Sequence, residues 1–533
     1  MLHKQRTVIM AMLLTLVMVL SACSGNNGGG NGNNGGNAEP ANAQAAESTG
    51  NAAEPAAAGS EGGADTTEEV ALKMIFVGPK PADYDAVFAE LNKKLKEKIN
   101  ATLEGEFLDW SDWAQKYPLK LAANEDFDLI YSANWAGYHD QALKGGFLEI
   151  TEDMIAKYLP KTLEAMPQVS WDQAKVNGKL YMVPQNRGES VEKLILYRED
   201  LRKKYNLPAI DSPEAYATYL KTVAEKEKGI APFTPETGDW KYHNLDRVLL
   251  KQQNEWNMFD LDMPFAFKLS DAKGQVFNVY QTQEFKNLLA YYKDLADNNA
   301  WAKNVLNSKD DHQQKFKQGL TASITHNNGT LGNLMTQMKQ ENSPYEVALA
   351  DVTPDKAKSI AISTQNGTSI HATSKHPERA LMLIDLMQND KEIHDLIMYG
   401  VQGVHYEPVG DTVFKATDKN ANFTGFSNWS FNSPLNRDNE AFPREASDLV
   451  AKWESGVYHY PLETFVFDNT KVKNELANIG NVMLRYALPL EYGVVKDVDK
   501  GLAELNEQLE DAGVEKVRQE LQAQIDAFLA AQQ

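Results

Sequence analysis

Between Val70 and Ser132 the chain switches repeatedly between strand-like and helix-like hydrophobic patterns, and that alternation limits the folds open to it. Val70 to Val77 is a nearly unbroken apolar, β-rich run, the pattern of a strand buried on both faces. Gly78-Pro79-Lys80-Pro81 breaks it. Asp83 is then placed to cap a helix carrying Val87, Phe88, Leu91 and Leu95 at helical spacing. Leu103 to Leu108 reads as a second strand, Trp113 to Ala123 as a helix, and Phe127 to Ser132 as a third strand. This order predicts an α/β fold with a parallel sheet and covering helices. Ligands of such open sheets lie outside the carboxyl ends of the strands. Those ends fall at Gly78-Pro79, at Asp109-Trp110 and from Ser132 to Trp135.

Trp110, Asn134, Trp135 and Tyr138 are therefore candidate ligand-binding residues. A flat indole stacks on the apolar face of a sugar ring while nearby amides satisfy its hydroxyls. The opposing expectation is that Trp110 and Trp113 are core residues, as large aromatics usually are.

Composition changes sharply before this region. From Ser24 to about Thr67 the chain contains no large apolar residue, so it cannot bury enough surface to offset ordering entropy and should stay disordered. A flexible tether of ~43 residues has a root-mean-square span of about 35 Å and an extended limit near 140 Å. Ahead of it stand Lys4 and Arg6, an apolar run from Val8 to Leu20, and Leu20-Ser21-Ala22-Cys23. That tetrapeptide resembles the lipobox read by bacterial signal peptidase II, and the apolar run has the length of a signal-peptide core. Residues 1–22 are expected to be a signal peptide, with the tether spanning 23–68 and lipid attached at Cys23.

Cys23 is the single cysteine, so disulfides cannot stabilise the fold. The folded part, roughly 460 residues from Glu69 to Leu529, exceeds one ordinary core and predicts two domains. A net charge of −21 with acidic residues spread throughout excludes a nucleic-acid binder, which needs a clustered basic surface. No G-x-S-x-G elbow, Walker loop, H-E-x-x-H or C-x-x-C is present. Nor is there an Asp-rich loop with alternating oxygen ligands, so neither a metal nor a cofactor is expected.

Farther along, Asn177-Gly178-Lys179 reads as a turn, and Leu180 to Val183 as a short strand leading to Pro184-Gln185-Asn186-Arg187-Gly188. A second α/β region begins with Leu194 to Tyr197, with a helix start near Ser212-Pro213-Glu214. Thr321 to Thr325 is another strand, ended by His326-Asn327-Asn328-Gly329, with a helix from about Leu331. His326 and Asn327 thus sit at a helix N-terminus, where ligand oxygens can meet free N–H groups. The C-terminus is helical. Leu502, Leu505 and Leu509 form one stripe, Ala512-Gly513 a stop, and Val514, Val517, Leu521, Ile525 and Phe528 the next. These stripes are too short for sustained heptads and predict a packed cap.

Several blocks together resemble bacterial extracellular solute-binding proteins of family 1, the lipoprotein receptors of ABC importers. They are Leu121 to Ile130 with Gly146 to Thr151, Asn177 to Tyr181 leading to Pro184, and Tyr197 to Leu201 with Lys204 to Leu207. Gly400 to Glu407, Phe467-Asp468 through Tyr486, and the ending from Ala512-Gly513 to Asp526 resemble the large lipid-anchored branch that imports complex plant oligosaccharides.

The resemblance implies a two-lobed periplasmic-binding-protein type II fold with an interlobe cleft and extra C-terminal helices. Carried over by position, the first lobe holds 69–185 and 355–408, and the second 187–352 and 410–533. Asn186 and Arg187 fall at the hinge. Maltose-binding relatives carry a stacking aromatic where His326 to Gly329 fall here, so stacking must come from elsewhere, with Trp240, Trp256 and Trp429 as candidates. Arg187 is placed either to read a uronate carboxylate or to pair with Glu189 or Glu192. The implied partners are an oligosaccharide and ABC permease subunits, with a monomeric receptor lipid-anchored on the extracellular face of the membrane. The alternatives are a lipoprotein presenting ligand to a membrane sensor, and a secreted glycoside hydrolase. A hydrolase needs two carboxylates ~5–9 Å apart, and no local motif places such a pair.

Overall fold

The Val70–Val77 strand lies parallel to Ala101–Leu108, in register from Val70 opposite Ala101 to Val77 opposite Leu108. Its other edge pairs in parallel with Leu129–Ser132. This is the expected three-stranded parallel unit. Two further strands extend it: Gly367–Ile370 pairs antiparallel with Leu129–Ser132, and Val183–Pro184 pairs antiparallel with Gly367–Ile370. The sheet is therefore mixed: its last two strands arrive antiparallel from distant chain segments, and of the two only Val183–Pro184 overlaps an expected strand, Leu180 to Val183. The continuous apolar run of Val70–Val77 follows from burial on both faces. Leu72, Met74 and Phe76 face the helices Tyr84–Ile99 and Pro377–Asn389, while Ile75 and Val77 face Leu108, Tyr117 and Tyr131.

The computed structural model describes residues 65–532 except 124, 189–191, 237–244, 246, 260–262, 359–362 and 456–459. Cys23, the expected signal peptide and most of the expected tether lie outside the described residues. So do Trp240 and Glu189. Among the described residues, no helix is long and apolar enough to cross a membrane.

Asp83 precedes the Tyr84–Ile99 helix, but its side chain makes no capping bond. It instead receives His405 Nε2–H and the Asn422 amide, each at 3.2 Å. The helix Pro213–Lys226 starts where expected and is capped by Ser212, whose Oγ accepts the Ala215 N–H. The strand expected over Thr321 to Thr325 is Ser323–Asn327, and Asn327 caps Asn328–Gln340 directly. That helix starts three residues before Leu331, so no separate polar turn intervenes.

The second lobe is built on the antiparallel sheet of Ser323–Asn327, Lys193–Arg198 and Val347–Ala350. Its main core continues into the C-terminal helices Val498–Asp511 and Val514–Ala531. Leu505, Leu509, Val514, Val517, Leu521 and Ile525 are all buried there, so these helices form a packed cap.

The expected placement of 410–431 in the second lobe is corrected by packing. Phe423, Phe426 and Phe431 lie in the core around the five-stranded sheet. Ser427 exchanges bonds with Val77: its N–H donates to the Val77 carbonyl at 2.8 Å, and its Oγ accepts the Val77 N–H at 2.9 Å. Gly78 makes this approach possible, since at φ +112° a Cβ would stand 2.4 Å from the Gly425 oxygen. The chain commits to the second lobe only later, with Leu449 and Trp453 in its core. Residues 355–358 also stay with the second lobe, where the Ala357 N–H donates to Glu255.

Candidate functional site

Four tryptophans gather beside the carboxyl ends of the first-lobe strands. Trp110 follows Ala101–Leu108, Trp113 opens the next helix, and Trp135 follows Leu129–Ser132. Trp429 comes from the distant turn Asn428–Phe431. Trp110 stacks nearly parallel to Trp429, at 6.0 Å between ring centroids and 8° between planes, and lies 6.4 Å from Trp135 at 28°. Trp113 meets Trp135 edge-on at 5.6 Å. Beneath them Tyr131 is fully buried and contacts both Trp135 and Trp429. Trp110 is 41% exposed, an unusual state for a tryptophan. The assembly is an aromatic surface whose outer face is open to solvent.

The other expected residues divide. The Asn134 side chain folds back, its Oδ1 accepting the Trp135 N–H at 2.8 Å. Tyr138 is buried, donating its hydroxyl to the Ala174 carbonyl at 2.5 Å and accepting the Tyr181 N–H. It is a core residue, and the expectation of ligand contact is corrected by that burial. Trp256 is likewise in the second-lobe core, edge-on to Phe277. Arg187 pairs with Asp438 at 3.1 Å, and both side chains are substantially exposed. Glu192 is buried against Lys251 instead. Exposed pairs contribute about 0–1 kcal/mol, so the guanidinium is open to competition from another carboxylate.

The second-lobe sheet brings His326 to a charged cluster. Lys193 opens one strand opposite Asn327, which closes its antiparallel neighbour. Lys193 Nζ lies 3.9 Å from Glu236, and His326 Nε2 lies 3.4 Å from Glu236 Oε1. His312 stacks on His326 with rings 6.0 Å apart and 5° from parallel. Burial pushes the His312 imidazole down to about 4 and also lowers that of His326, so both are neutral at pH 7. Burial raises Glu236, but the His326 hydrogen bond and the Lys193 charge outweigh it and hold the carboxyl near 2. Glu236 and His312 carried no sequence motif; 76 residues separate them (312 − 236).

Donor atoms of Glu236, His312 and His326 lie within 4.8 Å of one another, a donor set known from zinc sites. The local hydrogen bonding opposes that use. His326 Nδ1 accepts the Asn327 N–H at 2.9 Å, which leaves the ring proton on Nε2, facing Glu236. Lys193 already supplies the compensating cation. The cluster is suited instead to donate to and accept from hydroxyl groups.

Residues 86–409 match the family described as "Bacterial extracellular solute-binding protein", more than half of the chain. The chain belongs to this family. Residues 461–530 of this solute-binding protein also match a "Domain of unknown function (DUF3502)". A carbohydrate ABC transporter substrate-binding protein of Streptococcus pneumoniae serotype 4 is 25% identical over 478 residues, covering 87% of this chain and 92% of that protein. The polygalacturonan/rhamnogalacturonan-binding protein YtcQ of Bacillus subtilis is 26% identical over 288 residues, 51% of this chain and 54% of that one. Among solved structures, the N-glycan transport solute binding protein NgtS of Streptococcus pneumoniae, in complex with Man1GlcNAc, aligns with a TM-score of 0.70 at 23% identity. That alignment covers 87% of this chain and 100% of NgtS. The alginate-binding protein AlgQ2 aligns with a TM-score of 0.63 at 17% identity, covering 86% and 99%. These likenesses establish the two-lobed fold.

In this solute-binding protein the chain passes between the two cores three times: after Pro184, between Ala350 and Gly367, and after Phe431. Gln185, Asn366 and Asn432 meet where it does so. The Gln185 N–H donates to the Asn366 carbonyl at 2.9 Å and the Asn186 N–H to the Asn432 carbonyl at 2.8 Å. Gln185 Oε1 accepts from both the Asn366 and Asn432 amides at 3.2 Å. Asn366 was not legible as part of this meeting point, because it lies 181 residues from Gln185. Elsewhere the Asn469 amide donates to Asp140 at 3.1 Å, a direct bond from the C-terminal region to the first lobe.

Proposed function

We propose that this solute-binding protein captures an oligosaccharide in its interlobe cleft and delivers it to an ABC importer without chemically altering it. The four-tryptophan surface at the strand ends carries the reading, with the exposed Trp110 as the indole open to a sugar ring. The Lys193, Glu236, His312 and His326 cluster supplies hydroxyl partners from the second lobe. The carbohydrate-transporter relative supports both the ligand class and the importer. Lipid on Cys23 holds the protein to the outer face of the membrane, by the motif from Leu20 to Cys23.

The test is a thermal-shift screen with mannose–N-acetylglucosamine oligosaccharides, oligogalacturonides and neutral xylo-oligosaccharides. A ligand at ~100 times its Kd adds about 2.7 kcal/mol of apparent stability. Mass spectrometry after a day should find the bound oligosaccharide intact. Shorter products scaling with protein concentration would favour a hydrolase. Cys23→Ala should leave the protein unprocessed or release it to the medium.

A uronate-containing ligand is the second reading, favoured by the exposed Arg187–Asp438 pair and by the polygalacturonan-binding relative. Arg187→Met should then weaken an oligogalacturonide and leave neutral oligosaccharides unaffected. Equal effects on both would remove the uronate reading.

A further inference from the structure

We infer that Tyr131 and Asn366 are positioning residues that join the tryptophan surface to the interlobe crossings, so that the pose of the indoles and the setting of the hinge are coupled. The inference rests on the proposed role of the tryptophans, but its chemistry is visible without a ligand. Trp429 Nε1–H donates to the Tyr131 hydroxyl at 3.3 Å. That hydroxyl donates onward to Asn366 Oδ1 at 2.6 Å. The Asn366 amide donates to Gln185 Oε1, which also accepts the Asn432 amide. Asn432 Oδ1 in turn accepts from Asn436 at 2.8 Å.

The donors and acceptors match along the whole path, from an indole that can only donate to a carbonyl oxygen whose two lone pairs are both used. Trp135 is tied to the same segment one residue earlier, its Nε1–H donating to the Gln365 carbonyl at 2.9 Å. Trp135 is thus held by residue 365 directly and Trp429 by residue 366 through the Tyr131 hydroxyl, and residue 366 is bonded to Gln185 at the first crossing.

Burial gives the path its stiffness. Tyr131 is 0% exposed, Gln185 2% and Asn366 4%. In so dry an interior the bonds among these three are strong, and a broken one leaves an expensive unpaired group. A rotation at the crossings therefore cannot leave the indoles untouched. Trp429 is held twice over: its backbone lies between Ser427 and Phe431, which pack in the first lobe, and its carbonyl accepts the Asn432 N–H at 3.0 Å where the third crossing begins. Movement of Asn432 loads its bonds to the Trp429 carbonyl and to Gln185, and through Gln185, Asn366 and Tyr131 it reaches the indole. Stacking of a sugar on Trp429 would fix that ring and so bias the hinge.

The test uses near-ultraviolet circular dichroism of the tryptophans in the full-length, ligand-free protein, with far-ultraviolet spectra and melting as fold controls. Tyr131→Phe keeps the ring and removes only the hydroxyl, and should reduce the tryptophan signal. The decisive variants are Gln185→Met and Asn432→Ala, at the hinge end of the path. Each should also reduce the tryptophan signal with the fold retained. Should Gln185→Met fail to fold, Asn432→Ala decides. A signal unchanged in the hinge variants, with or without an effect of Tyr131→Phe, would overturn the coupling and leave at most a local anchor. No oligosaccharide is used, so this outcome is independent of the ligand proposal.

Discussion

Replacing Trp110 and Trp135 separates stacking from packing, because the two indoles share one cluster but differ in what holds them. Trp110 is 41% exposed, so Trp110→Ala removes less buried surface than truncating a core indole, although it does lose the packing on Trp429 and Trp135. It should weaken an oligosaccharide found in the screen by roughly 1–3 kcal/mol, about 5- to 150-fold in Kd, with a smaller loss of ligand-free stability than Trp135→Ala causes. Trp135 is half-buried and bonded to Gln365. Trp135→Ala should lower both affinity and ligand-free stability, the latter by about 2–3 kcal/mol in urea unfolding. Tyr138→Phe is the matched control. It loses a buried bond to Ala174 and should cost about 1 kcal/mol of stability while affinity holds. A ligand-specific effect of Tyr138→Phe would contradict its assignment to the core.

At the scale of elements, the C-terminal helices show why an apolar stripe is informative about burial but silent about its partner. Leu521 is fully buried in the core that also holds Phe285, Leu289 and Tyr292. Leu521→Ala should cost about 2–5 kcal/mol in denaturant unfolding. Its location in the second-lobe core predicts that the loss appears there, with hydrogen exchange rising in Gln283–Asp297 and not in Tyr84–Ile99. Uniform exchange across both helices would show that the lobes unfold as one unit.

Over the whole molecule, buried histidines in both lobes set an acid limit on stability. Burial pushes His139 in the first lobe and His312 in the second down to about 4. The unfolded chain binds their protons near pH 6.5, while the native state resists until about pH 4. Stability is therefore complete above pH 6.5 and falls as pH drops through this window, by on the order of 3 kcal/mol for a fully buried histidine. Glu236, held near 2, extends the loss to lower pH with the same sign. Melting temperature should fall steadily from pH 6.5 to 4, and His312→Gln should flatten the slope by about one proton's share. A flat profile in the wild type would refute burial of these rings.

The sequence by itself determined the elements whose signals are local. The strand Val70–Val77, the capped helix at Ser212 and the stop at Ala512-Gly513 were legible from side-chain period, capping residues and glycine. Trp110 and Trp135 were legible as residues gathered at the strand ends, because strand ends fix where a parallel sheet presents its residues. Only the tertiary structure decided that Tyr138 is buried, that Arg187 faces Asp438, and that 423–431 packs in the first lobe. It alone brought Trp429 onto Trp110, His312 onto His326, and Gln185 between Asn366 and Asn432. The physical reason is common to all of these. Periodicity and capping act over a few residues, whereas pairing a buried amide or stacking a ring depends on segments tens to hundreds of residues apart, whose meeting is set by how the lobes pack.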